Sequence, residues 1–215
     1  MKMKRAIQQQ DKETRKKNIL QSALDVFFNK GFKAAKMDEI ASNANISKGT
    51  LYLYFSSKEQ LFVELIQQIA SPKVNQVEAM VNNDSTLEDK LNLFKQHAKN
   101  MLVDQQLPKL MKIIISDSGA FPELVTTYRE MIVDRALKTM SQIIKRAQSN
   151  KECRQGDPIE LAQLLVAPVI FSAIWRIVFE PSGATKINID SLLALHINML
   201  KQVLIVKDRV DEDAI

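Results

Sequence analysis

Apolar residues recur every three or four positions along nearly the whole chain, the period of helices that each bury one face. Between Asp11 and Lys30 the stripe is Ile19, Leu20, Ala23, Leu24, Phe27 and Phe28, and Gly31 follows as a left-handed stop. Met37, Ile40, Ala41 and Ala44 predict a second helix, too short to be stable without neighbours. Asn45-Ile46 reads as a tight connection, Ser47 as the cap of a third short helix, and Phe55-Ser56 as its end. Ser57 with Gln60 has the pattern of a capping box and opens a fourth helix striped by Phe62, Leu65, Ile66 and Ile69.

Farther on, Ser71-Pro72 marks either a break or a kink, since proline is tolerated in a first helical turn and disruptive in an interior. Ser85 with Glu88 predicts another capping box, ahead of a stripe formed by Leu87, Leu91, Phe94, Ala98, Met101 and Leu102. A shorter helix is expected from Pro108 to about Ser116, and a long one after the Gly119–Pro122 turn, reaching about Ala147. Asp157, Pro158 and Glu160 form a helix start, and that helix runs to about Phe179 with an expected kink at Pro168. A last helix carries Leu192, Leu193, His196, Leu200, Val203 and Leu204, and the acidic end Asp211-Glu212-Asp213 is expected to fray. The fold class is therefore all-α, about nine helices, with a compact module over residues 1–70 and a larger one over 71–215.

Composition agrees, with 46% hydrophobic and 26% charged residues and only 5 Gly and 6 Pro, which disfavours disordered and turn-dense β architectures. Charge adds an asymmetry. Residues 1–60 hold 12 Lys/Arg against 6 Asp/Glu, so the whole positive excess of the chain (+5) lies in its first part, as in a module that meets a polyanion. The basic positions Lys2, Lys4, Arg5, Lys12, Arg15, Lys16 and Lys17 suit a diffuse, salt-sensitive attraction better than base reading. The single cysteine, Cys153, excludes an intramolecular disulfide and a cysteine metal cluster, and His97 and His196 have no ligand-spaced partners, so no metal and no cofactor are expected. Gly-rich phosphate loops, nucleophile elbows and zinc-helix signatures are missing, which argues against an enzyme. The start lacks an apolar signal core and the apolar run Leu161–Phe179 is interrupted by Gln163, Pro168 and Arg176, so a cytoplasmic protein without a membrane partner is expected.

The most specific signal is Met37–Phe62, read as helix, tight turn, helix. Ile40, Ala41, Ala44, Ile46 and Leu51 suit burial against the first helix. Ser47, Lys48, Thr50, Tyr52 and Tyr54 then project outward, with Lys58 starting the next helix. Hydroxyls, amides and cations at one helix N-terminus are the groups that hold phosphates and read base edges in a major groove, and Gly49 permits close backbone approach. This stretch, with Gly31-Phe32 ahead of it and the run Gly-Thr-Leu-Tyr-x-Tyr-Phe inside it, resembles the DNA-binding domain of the TetR/AcrR family of bacterial transcriptional regulators over residues 18–65.

The resemblance implies a homodimer on double-stranded operator DNA, a ligand pocket in the C-terminal region, and an interface made by the last two helices. Carried over, Ser47, Lys48, Thr50 and Tyr52 would lie in or beside the groove, with Tyr54 and Lys58 on phosphates. Where such regulators commonly place two threonines ahead of the second helix this chain has Ala35-Lys36, so Lys36 replaces a hydroxyl contact with a charge, and Asn45 stands where glycine is common. The expected interface residues are Leu161, Leu164, Leu193, Leu200 and Leu204. From the residues themselves, Phe94, Met101, Met111, Tyr128, Met131, Phe171, Trp175 and Arg176 are candidates to line a permissive cavity for a small hydrophobic effector. A repressor released by such a ligand is the expected function. A regulator with no inducer and an all-α interaction scaffold are the alternatives.

Overall fold

The computed structural model describes residues 2–81 and 84–206, with side chains from residue 10 onward. Lys2, Lys4, Arg5 and the end Asp211-Glu212-Asp213 lie outside the described side chains. The described residues form helices α1 (Lys2–Ala34), α2 (Met37–Asn43), α3 (Lys48–Tyr54), α4 (Lys58–Leu65), α5 (Ser71–Ala79), α6 (Leu87–Val103), α7 (Gln106–Asp117), α8 (Pro122–Tyr128), α9 (Asp134–Ser149), α10 (Pro158–Ile174) and α11 (Ile189–Leu204). π-helical turns follow α4 at Ile66–Ala70 and α8 at Arg129–Val133. Pro72 therefore neither ends nor interrupts the helix: it falls in the first turn of α5, directly after a turn whose longer hydrogen-bond repeat relieves the ladder. Pro168 lies inside α10, which passes into a π turn at Trp175–Phe179.

Helix starts follow local chemistry. Ser47 Oγ accepts from Thr50 N at 3.0 Å, Ser57 Oγ from Gln60 N at 3.3 Å, and Asp157 Oδ1 from Ile159 N at 2.7 Å. The start of α6 is shifted by one residue from the expected box, because Thr86, not Ser85, accepts from Asp89 N at 3.2 Å. Asn45 takes the left-handed conformation at φ 54, as the turn between α2 and α3 requires.

Two compact units are formed, one by residues 1–71 with 106–131 and the other by 72–105 with 132–215. In the first, α1 packs on α2, α4 and α7, and its core contains Ile19, Leu24, Phe27, Phe32, Ile40, Leu51, Phe62 and Leu110. In the second, α10 packs on α9, α11 and α6, burying Leu91, Ile144, Leu165, Leu193 and Ile197. Cys153 is buried there beside an isolated bridge to Ile205, and burial together with Glu152 pushes its thiol pKa up, which makes it unreactive.

Candidate nucleic-acid interface

The expected reading helix α3 has one inward face and one open face. Leu51 is fully buried and anchors the helix, whereas Tyr52 is 46% and Leu53 86% exposed. Gly49 has no close neighbour on this face: a Cβ built there would meet only Ser47 Oγ, at 3.9 Å. Nothing within the chain thus requires glycine at this position. Ser47 and Thr50 share a hydroxyl hydrogen bond of 2.8 Å, so together they present one ordered pair at the helix start. Lys48 Nζ lies 2.8 Å from Asp38 Oδ1 of α2, which raises the lysine pKa. Both partners are exposed, and such a pair is weak enough to exchange for a phosphate. Lys36, exposed, precedes α2 in extended backbone with no side-chain cap, so the first amides of α2 have no hydroxyl partner at that position. Tyr54 is half-buried against Phe55, ring centroids 6.4 Å apart.

Lys58 has a role that the sequence did not reveal. Its ammonium donates to the carbonyl oxygens of Phe32 (2.9 Å) and Lys33 (3.3 Å) and lies 4.9 Å from the Phe32 ring centroid. Two of its three donors are therefore committed to the end of α1, which leaves one for an external anion. The same corner is held from its other side. Gly31 leaves helical geometry at φ 79, turning the next amides outward, and the buried Asp117 carboxylate at the end of α7 accepts from Phe32 N at 2.8 Å and Lys33 N at 3.3 Å. Only glycine adopts this backbone without strain, and a Cβ there would lie in van der Waals contact with Asp117 Oδ2 at 3.4 Å. Phe32 completes the lock, with rings of Phe27 and Phe121 at 5.1 Å.

The cavity candidates divide between the two units. Phe94 lines an apolar cleft of the second unit with Leu91, Met140, Ile144 and Leu165, while Met101 is half-buried on the same helix. Met111, Tyr128 and Met131 belong to the first unit, and burial pushes the Tyr128 phenol up to about 12, which keeps it a neutral donor. Phe171 does not point inward: it is exposed and begins an outward aromatic row with Trp175 (5.7 Å) and Phe179 (5.2 Å). The Trp175 indole donates to Thr185 O at 2.9 Å and so fastens the loop before α11. Arg176 Nη1 is buried without a partner among the described residues.

Of the five expected interface leucines, Leu164 is 56% exposed, Leu161, Leu200 and Leu204 are half-buried, and Leu193 is only 1% exposed. Leu193 faces the chain's own core, because the α11 stripe that packs inward runs through Leu193 and Ile197. The outward stripe is Leu195, Met199 and Val203, which the sequence reading had not selected apart from its position on this helix. Leu164, Phe171 and Val178 extend a similar outward row along α10 and its π turn. Exposed apolar rows of this kind are the sort of surface at which proteins associate. The stretch Pro158–Ser182 has the length and apolarity of a membrane span, yet within it Ala162, Leu165, Val169, Ser172 and Ala173 are buried in the protein.

Comparison with known proteins places the open face of α3 in context. Residues 19–65 match the model of the bacterial regulatory proteins, tetR family. A fatty acid metabolism regulator protein of Bacillus subtilis is 24% identical over 149 residues, 69% of this chain and 75% of its own. The HTH-type transcriptional regulator YhgD of Bacillus subtilis is 49% identical over 51 residues, 24% of this chain and 27% of that one. Among solved structures, SmeT in complex with triclosan, the repressor of a Stenotrophomonas maltophilia multidrug efflux pump, superposes with TM-score 0.76 at 20% identity, covering 91% of this chain and 93% of that one. Residues 19–65 thus carry the match to the tetR family of DNA-binding transcriptional regulators, and over the rest of the chain the likeness to such regulators is one of fold.

Proposed function

We propose that the protein is a cytoplasmic homodimeric repressor whose residues 1–70 hold operator DNA and whose residues 71–215 bind a partner copy and a small hydrophobic ligand that releases the DNA. The observation that carries the DNA assignment is the open face of α3, where Gly49 leaves space that the chain itself does not fill. Ser47, Lys48, Thr50 and Tyr52 contact the groove, Tyr54, Lys36 and the remaining donor of Lys58 take phosphates, and the exposed Leu53 adds an apolar contact of the kind thymine methyl groups accept. The outward rows Leu164, Phe171, Leu195, Met199 and Val203 supply the dimer surface that two successive major-groove contacts require. A relative named for fatty acid metabolism and a neighbour solved with triclosan support an apolar effector.

The route to the reading helix runs through α7. Because Asp117 holds the Phe32 and Lys33 amides, a ligand that displaces the end of α7 must either carry the α1 corner with it or break one buried and one part-buried hydrogen bond. Asp117→Asn keeps the shape but replaces the charged acceptor, so operator affinity should remain while ligand-induced release weakens. The overall reading is tested by measuring duplex binding across a salt series with and without apolar compounds. A steep loss of affinity with salt supports the DNA assignment, and operator binding indifferent to every apolar compound rejects the inducer.

A further inference from the structure

Lys48 is the one cation that α3 carries, and an acid of the preceding helix holds it. Its ammonium lies 2.8 Å from Asp38 Oδ1 and donates to Asp38 Oδ2 at 3.1 Å, so both carboxylate oxygens face it. Both side chains are exposed, on the same open side as Gly49 and Tyr52. Simple attraction to DNA does not account for an acid at this place. Every phosphate repels the carboxylate, and the pair that it forms with Lys48 has no net charge.

The geometry accounts for it in another way. With two of its three donors turned to Asp38, the ammonium keeps one for an acceptor at the start of α3, the part of a reading helix that meets base edges. The neighbouring polar groups are ordered as well, since Ser47 Oγ accepts from Thr50 N at 3.0 Å and shares a 2.8 Å hydroxyl bond with Thr50. The start of α3 is therefore set before DNA arrives, which lowers the ordering cost of binding. On DNA that offers no acceptor at this point, Lys48 reaches a phosphate only by leaving Asp38. The abandoned carboxylate then faces the polyanion alone.

We infer that Asp38 is a specificity-determining positioning residue: it aims Lys48 at a base acceptor and withholds it from the phosphates of DNA that lacks one. Guanine, whose O6 and N7 suit a lysine, is the base that fits. The inference rests on the reading of α3 as the groove helix and adds a residue of α2 to its sequence discrimination. An aspartate in a first helical turn also suits the helix dipole, but that role alters stability and not discrimination.

The test starts by selecting a preferred duplex from a random-sequence pool with the full-length protein. Affinities for that duplex and for a scrambled version of it are then measured by fluorescence anisotropy across a salt series. Asp38→Asn keeps the size of the side chain and should bind the scrambled duplex at least about three-fold more tightly. Its salt slope on that duplex should steepen by about one, as one added phosphate contact requires. The ratio of selected to scrambled affinity should fall at least about three-fold, because the freed lysine is no longer aimed. Glu59→Gln removes an exposed negative charge from the same module and should shift both duplexes together. In a Lys48→Met background, Asp38→Asn should leave the ratio unchanged, because the aspartate acts through the lysine. A ratio that Asp38→Asn does not change overturns the proposal, as does one that falls equally in Glu59→Gln or in the Lys48→Met background; the DNA reading stands in each case. A wild type that selects no sequence and binds the scrambled duplex without salt dependence rejects the reading of α3 and this inference together.

Discussion

Replacing Gly49 with alanine separates what the fold needs from what the interface needs. Gly49 is the second residue of α3, and its added Cβ would meet nothing nearer than Ser47 Oγ at 3.9 Å, an ordinary van der Waals distance. The folded chain therefore has no steric objection to alanine. Glycine in a helix is less stable than alanine by about 0.5–1 kcal/mol, because more backbone freedom is lost on folding. The position is in the first turn, so the lower end applies, and Gly49→Ala should raise unfolding free energy by about 0.5 kcal/mol, equivalent to about 1–2 °C in a chain of this size. Operator affinity should move the other way. A methyl group between the helix and the groove wall displaces the backbone at both half-sites of a dimer, and a loss of at least ten-fold, about 1.4 kcal/mol, is expected. Urea unfolding and fluorescence anisotropy with an operator duplex measure the two effects on one sample. Unchanged or tighter DNA binding would refute the close-approach argument, and a destabilised variant would mean that α3 itself needs the empty space.

Lys58→Met should lower stability by about 1 kcal/mol, because the hydrogen bonds to Phe32 O and Lys33 O are lost while the Phe32 carbonyl remains partly buried, and thermal unfolding measures it. Leu164→Glu places a charge on an exposed position, so the protomer should unfold within about 0.5 kcal/mol of wild type while sedimentation shows monomers. Leu193→Glu, in contrast, puts a charge in the core and should cost about 3 kcal/mol or more; a well-folded dimer would refute the inward assignment. Burial lowers the His196 pKa in the folded chain, against hydrogen bonds to the Leu165 and Leu164 carbonyls, so the unfolded state binds its proton first. Stability should therefore fall as pH drops below the ordinary histidine value of about 6.5, and a His196→Gln variant should show a flatter profile in chemical unfolding between pH 7.5 and 5.5.

Features encoded within three or four residues were readable before any coordinates. Asn45 in its turn, Ser47 and Ser57 at their helix starts, and Asp157-Pro158 at theirs all act through contacts along the local chain. Leu53 was also legible and was passed over: it stands two residues, about 200° of helix rotation, from buried Leu51, so its outward position follows from the period that identified Leu51. The one-residue error at Thr86 arose because Ser85 and Thr86 are both good caps and only the competing geometry of Asp89 decides between them. Pro72 stayed open between a break and a kink for a different reason, since the π turn Ile66–Ala70 that precedes it is not encoded in the proline's own sequence context. The corner at Gly31 could not be read at all. Asp117 reaches Phe32 across a separation of 85 residues, and an aspartate near a helix end reads from sequence alone as a solvated charge, yet here it is the buried acceptor that fixes where α1 stops. What distinguishes this corner from that of a generic helical bundle is a charge whose partners lie far away in the chain.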